Sequence, residues 1–76
     1  MKAAILVFTQ AGMFEKVLTH LKNLKGVKEA FAVTGRADVA VIADVGDLSE
    51  LSRLALSVVG IEGVTGSETL VEVQKR

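Results

Sequence analysis

Two short segments of this chain have no side that suits water. Lys2 to Thr9 and Asp38 to Asp44 are rich in β-branched and aliphatic residues, the composition of strands. In an extended chain successive side chains point to opposite faces. Ala3, Ile5 and Val7 then oppose Ala4, Leu6 and Phe8, and Val39, Val41 and Ala43 oppose Ala40 and Ile42. A sheet covered by helices on one face alone should alternate apolar with polar, and these segments are apolar on both sides. A chain of 76 residues has little mass with which to cover a second face. Burying a large apolar side chain contributes roughly 1.5 to 3 kcal/mol, so four left wet forfeit an amount comparable to a small domain's whole stability of about 5 to 15 kcal/mol. The expectation is an isologous dimer in which two copies cover each other's open sheet face.

The remaining segments say what covers the first face. From Met13 to Leu24 the apolar period changes to that of a helix, with Phe14, Val17, Leu18, Leu21 and Leu24 on one stripe. Gly26 stops it, being free to take a left-handed conformation. Val27 to Val33 reads as a second strand, Thr34-Gly35-Arg36-Ala37 as a turn, and Asp38 to Asp44 as a third strand. Asp47-Leu48-Ser49-Glu50 has a capping acid with a carboxylate three residues later, which opens a second helix bearing Leu51, Leu54, Ala55 and Val58 inward. Gly60 and Gly63 close it, and Val64 to Val73 forms a fourth strand before a charged tail. Leu24-Lys25-Gly26-Val27 and Ile61-Glu62-Gly63-Val64 end the two helices alike, a faint internal duplication. The order β-α-β-β-α-β predicts an α+β ferredoxin-like domain: a four-stranded antiparallel sheet, two helices on one face, dimerising through the other.

Composition narrows function by exclusion. The chain has no cysteine, so disulfides, thiolate metal sites and thiol nucleophiles are ruled out. Its net charge is zero, without the positive surplus that direct nucleic-acid binding uses. The charge is uneven along the chain: six Lys/Arg face two Asp/Glu in residues 1–36 and three face seven in residues 37–76, so the halves carry +4 and −4. Solvated helix faces explain this better than a head-to-tail contact. The only aromatics are Phe8, Phe14 and Phe31, too few for a base-stacking sheet. The apolar start ends at Thr9-Gln10 without a cleavage-like sequel, and no stretch reaches the roughly 20 residues of a membrane span, so a cytoplasmic protein without membrane association is expected. His20 has no second metal-ligand type at a useful spacing, and Asp44-Val45-Gly46-Asp47 lacks the further ligands of a calcium loop. No metal, cofactor or catalytic constellation is expected.

Two polar segments remain. In Thr34-Gly35-Arg36-Ala37-Asp38, backbone N–H groups around the glycine suit a carboxylate and Asp38 suits an ammonium. Thr65-Gly66-Ser67-Glu68-Thr69 supplies hydroxyls leading into the fourth strand. Together they offer complementary partners for a free amino acid, although each alone is also ordinary turn chemistry.

Across its length the chain resembles the C-terminal regulatory, ligand-binding domain of Lrp/AsnC transcription factors, also found free-standing. The resemblance lies in Leu24-Lys25-Gly26-Val27, Val33-Thr34-Gly35-Arg36-Ala37-Asp38, Asp47-Leu48-Ser49-Glu50-Leu51 and Gly63-Val64-Thr65-Gly66-Ser67-Glu68-Thr69, in that order and spacing. It implies a single ligand-binding domain over residues 1–76 without the helix-turn-helix of full regulators, dimers joined through their sheets, and higher rings (octamer or decamer). It also implies an amino-acid effector between dimers, contacted by Thr34, Gly35, Arg36 and Asp38 on one side and by Ser67 and Thr69 from the site's other elements. Asp38 would hold the amino group, while the backbone near Gly35 and the two hydroxyls would orient the carboxylate. Ser67 stands where the family more often has threonine, and Arg36 is at a variable position, so the ligand's side chain stays open. The implied role is a non-enzymatic sensor or modulator of transcription or amino-acid metabolism, acting alone or with full-length relatives. Two other roles fit the topology: a small dimeric ferredoxin-like barrel enzyme, with His20 in a cleft, and an ACT-like module with sheets side by side.

Overall fold

The structure, a computed structural model, describes residues 1–73. Its elements are β1 (Lys2–Thr9), α1 (Phe14–Lys22), β2 (Val27–Ala32), β3 (Val39–Asp44), α2 (Leu48–Val59) and β4 (Val64–Val71). Their order is the βαββαβ order read from the periodicities. The four strands form one antiparallel sheet in the order β2-β3-β1-β4, with the ferredoxin-like topology. The two most apolar segments, β1 and β3, are the inner pair, as their two-sided hydrophobicity requires.

Register fixes which side chains share a face. Ala3, Ile5 and Val7 pair with Ala43, Val41 and Val39. All six are buried against Val17 and Leu21 of α1 and Leu51, Leu54 and Val58 of α2, so both helices lie on this face. α1 packs mainly over β2 and α2 over β4. The core contains no buried polar or charged residue among those described.

The opposite face runs in cross-strand rows. One is Glu29–Ile42–Ala4–Leu70, the next Phe31–Ala40–Leu6–Glu68, with Phe8 paired to Gly66 beyond them. Apolar side chains thus fill its centre, and the two glutamates sit on its outer strands. Phe31 and Leu70 are 44% and 49% exposed, and among the described residues no element covers this face.

Local chemistry explains the helix ends. Asp47 has extended backbone angles and its Oδ1 accepts from the Glu50 N–H at 2.9 Å, the expected N-cap. The Glu50 carboxylate reaches back to the Gly46 N–H, one residue before the cap, so the reciprocal capping box is present with a shift of one position. Gly26 follows α1 in the left-handed region at φ +94°. α1 is shorter than the Met13–Leu24 stripe, because Asn23 and Leu24 close it with tight turn bonds to His20 and Leu21. Strand two stops at Ala32, strand three begins at Val39 and strand four ends at Val71, each slightly inside its expected bounds. The charged tail falls on residues 74–76, outside the described residues.

Candidate functional site

The β2–β3 hairpin is closed by its own backbone: the Val33 N–H donates to the Asp38 carbonyl at 3.0 Å. Gly35, at φ +119°, lets the intervening loop turn. Asp38 then ties this hairpin to the end of β1 twice. Its N–H donates to the Val7 carbonyl at 3.0 Å, and its Oδ2 accepts from the Thr9 N–H at 2.8 Å. The carboxylate is half-buried and engaged through one oxygen.

On the other side of β1, Ser67 pairs with Val7 and Thr69 with Ile5. The hairpin and the start of β4 therefore sit at the same end of the sheet. With strands about 4.8 Å apart, Asp38 and Ser67 are separated by roughly 10 Å of backbone. Ser67 and Thr69 share the helix-covered face with Val7 and Ile5, where both are half-buried.

Thr34 and Asp38 do share a cavity. A groove of about 550 Å³ is lined by Phe14 at the start of α1, by Ala32 and Val33 at the end of β2, and by these two polar residues. That volume lies within the roughly 300 to 1,000 Å³ of small-molecule sites. Gly35, Arg36, Ser67 and Thr69 do not line it. Arg36 is directed elsewhere, with its guanidinium 3.9 Å from the Glu68 carboxylate. Both side chains are largely exposed there, so the pair contributes little to stability. Within one chain, then, the six residues form two clusters at one end of the sheet and not a single enclosed pocket.

Phe14 is the groove residue that sequence reasoning placed elsewhere. Its spacing puts it on the apolar stripe of α1, yet it is 41% exposed. The first turn of α1 comes beside the end of β2, where Phe14 lines the groove together with Ala32 and Val33. The signal was its terminal place on the stripe, one turn before Val17. His20 is exposed on α1 and does not line this groove. Among the described residues no group of three or more His, Cys, Asp or Glu gathers into a metal-holding cluster, and no helix is long and apolar enough to cross a membrane.

Known proteins echo this architecture. The model of the family described as the Lrp/AsnC ligand binding domain matches residues 2–75. A protein from Thermus thermophilus superposes with a TM-score of 0.92 at 24% identity, covering 99% of this chain and 95% of that one. Escherichia coli AsnC superposes with a TM-score of 0.87 at 21% identity, over 97% of this chain and 51% of AsnC. A transcriptional regulator from Neisseria meningitidis, in complex with L-Met, gives 0.83 at 21% identity over 97% of this chain and 50% of the regulator. The chain thus spans nearly all of the first and about half of the other two. No curated protein sequence matches it.

Proposed function

The chain belongs to the Lrp/AsnC ligand-binding domain family, and we propose that it is a non-enzymatic, oligomeric amino-acid sensor that modulates transcription or amino-acid metabolism. The observation that carries this reading is the groove beside the hairpin, which Asp38, Thr34 and Phe14 line together. One Asp38 oxygen is held by Thr9, which fixes the carboxylate's orientation, and the other is available to an ammonium group. Backbone N–H groups around Gly35, in the loop beside the groove and outside its lining, suit the carboxylate of a ligand that extends beyond it. Phe14 suits an apolar side chain, in keeping with the L-Met bound by the Neisseria meningitidis regulator.

The groove is open to solvent, and Ser67 and Thr69 lie outside it. In this proposal a neighbouring copy supplies a further wall, with its own Ser67 and Thr69 in reach of the effector's carboxylate. The apolar open face of the sheet supports the first level of that assembly, a homodimer, and dimers then associate into rings of octamer or decamer size. Full-length Lrp/AsnC-type regulators, which would bring the DNA-binding part, are proposed as further partners through the same surfaces. The setting proposed for this chemistry is the cytoplasm.

Calorimetric titration with each of the common amino acids tests the proposal. Binding of at least one in the micromolar to millimolar range is expected, and no heat from any of them up to millimolar concentration rejects the sensing role. Asp38→Asn is the informative variant, because it keeps an acceptor for the Thr9 N–H and removes the charge that faces the ammonium. It should weaken binding by about 1 to 3 kcal/mol without unfolding the chain.

A further inference from the structure

A second cleft lies at the opposite end of the sheet from the hairpin. The α1–β2 turn (Leu24, Lys25, Gly26) forms one wall, the β3–α2 loop (Asp44, Val45, Gly46) another, and α2 contributes Glu50, Arg53, Leu54 and Ser57. Its volume is about 590 Å³. Gly26 makes the close packing of its base possible: a Cβ there would stand 3.2 Å from Val45 Cγ1 and 3.7 Å from Leu54 Cδ2.

The charged groups lining this cleft, two acids and two cations, sum to zero but differ in how they are partnered. Both of its acids have partners within the fold. The Glu50 carboxylate accepts from the Gly46 N–H, and the Asp44 carboxylate faces the N-terminal ammonium at 3.3 Å. Neither of its cations does. Among the described residues, no carboxylate lies within ion-pair distance of Lys25 or Arg53. Lys25 comes from the turn and Arg53 from α2, so two unpaired positive charges approach the cleft from different walls, over the apolar Leu24 and Leu54.

From this arrangement we propose that the cleft is a second binding site, for a small carboxylate with an apolar body and no ammonium group, such as a short branched-chain acid. Arg53 offers the planar fork that matches a carboxylate, Lys25 adds a point charge, and Ser57 a hydroxyl. Leu24 and Leu54 take the apolar part. An ammonium-bearing ligand is disfavoured, because its charge would be held beside the unpaired Lys25 and Arg53. The proposal is independent of the amino-acid site at the hairpin, from which it is separated by the length of the sheet.

The test is a two-dimensional amide NMR titration of the intact chain with isovalerate, with isovaleramide as the neutral isostere, and with inorganic phosphate. Isovalerate should shift the amides of Gly26, Gly46 and Arg53 to Ser57 and leave that of Gly35 in place. Arg53→Gln and Lys25→Gln, both at exposed positions, should each weaken this binding about tenfold or more. The proposal is overturned by any of four results: no shift at those amides up to about 20 mM, a very weak limit by affinity arithmetic; equal shifts with the neutral amide; unchanged affinity in both variants; or a response to phosphate with none to isovalerate. Loss of amino-acid binding in the calorimetric experiment leaves these outcomes untouched, so the two sites are judged separately.

Discussion

Asp38 has two carboxylate oxygens, and the fold uses one of them. Its bond to the Thr9 N–H fastens the hairpin to the central strand, while the second oxygen is the feature on which the sensing proposal depends. A residue with both roles behaves differently under two substitutions. Asp38→Ala removes the acceptor and the charge together, leaving a partly buried N–H unpaired, so it should lower stability by about 1 to 3 kcal/mol as well as binding. Asp38→Asn should spare stability, and comparing the two by thermal melting and calorimetry separates the roles. Gly63 is tied to its position by two constraints. It sits at φ +98°, and a Cβ there would lie 2.9 Å from Met13 Cε, 3.1 Å from Met13 Cβ and 3.2 Å from Val17 Cγ2. The left-handed conformation costs an L-residue roughly 1 to 2 kcal/mol and overpacking a further 1 to 3 kcal/mol. Gly63→Ala should therefore destabilise the chain by about 2 to 5 kcal/mol, read from urea unfolding. Gly35→Ala meets no atom within 4 Å and should cost only the conformational part.

At the level of elements, α2 is held at its start by the Asp47 cap, whose bond to the Glu50 N–H is local and independent of any partner copy. Asp47→Ala should cost about 0.5 to 2 kcal/mol in unfolding experiments at fixed protein concentration, with the oligomeric state unchanged. That independence also explains why this helix was legible in the sequence: the cap, the carboxylate three residues on and the apolar period all lie within one short stretch. The six elements and their order were legible for the same reason, since turn glycines and a change of period are local signals. The site was less so. Asp38 and Ser67 come to the same end of the sheet because each is registered against Val7, and pairings between residues so far apart in sequence leave no local trace. Phe14 shows the limit from the other side. A helical stripe records which residues point the same way, and the tertiary surroundings decide how far along the helix that direction is covered.

For the whole molecule the decisive quantity is the fate of the open sheet face. Phe31, Leu6, Ile42 and Leu70 lie there in adjoining rows, with Glu29 and Glu68 on the outer strands. A patch apolar in its middle and charged toward its margins has the layout of an interface. Ile42 stands next to Glu29 in its row, so Ile42→Lys gives the single chain a compensated charge pair but places an ammonium in the middle of a face-to-face dimer. The variant should keep its secondary structure by circular dichroism and fall to the 8.0 kDa mass of one chain in light scattering, whereas the parent runs at twice that mass or more. If the parent is itself a stable 8.0 kDa particle at micromolar concentration, face-to-face pairing is rejected, and the effector site loses the neighbour from which its second wall would come. If the parent is oligomeric and Ile42→Lys leaves its mass unchanged, the copies meet along the sheet edges, which is the side-by-side arrangement of an ACT-like module. The same sample decides the coupling between assembly and sensing. An effector held between copies binds the assembled state alone, so adding it must stabilise the oligomer against dilution, by an amount that grows with ligand concentration.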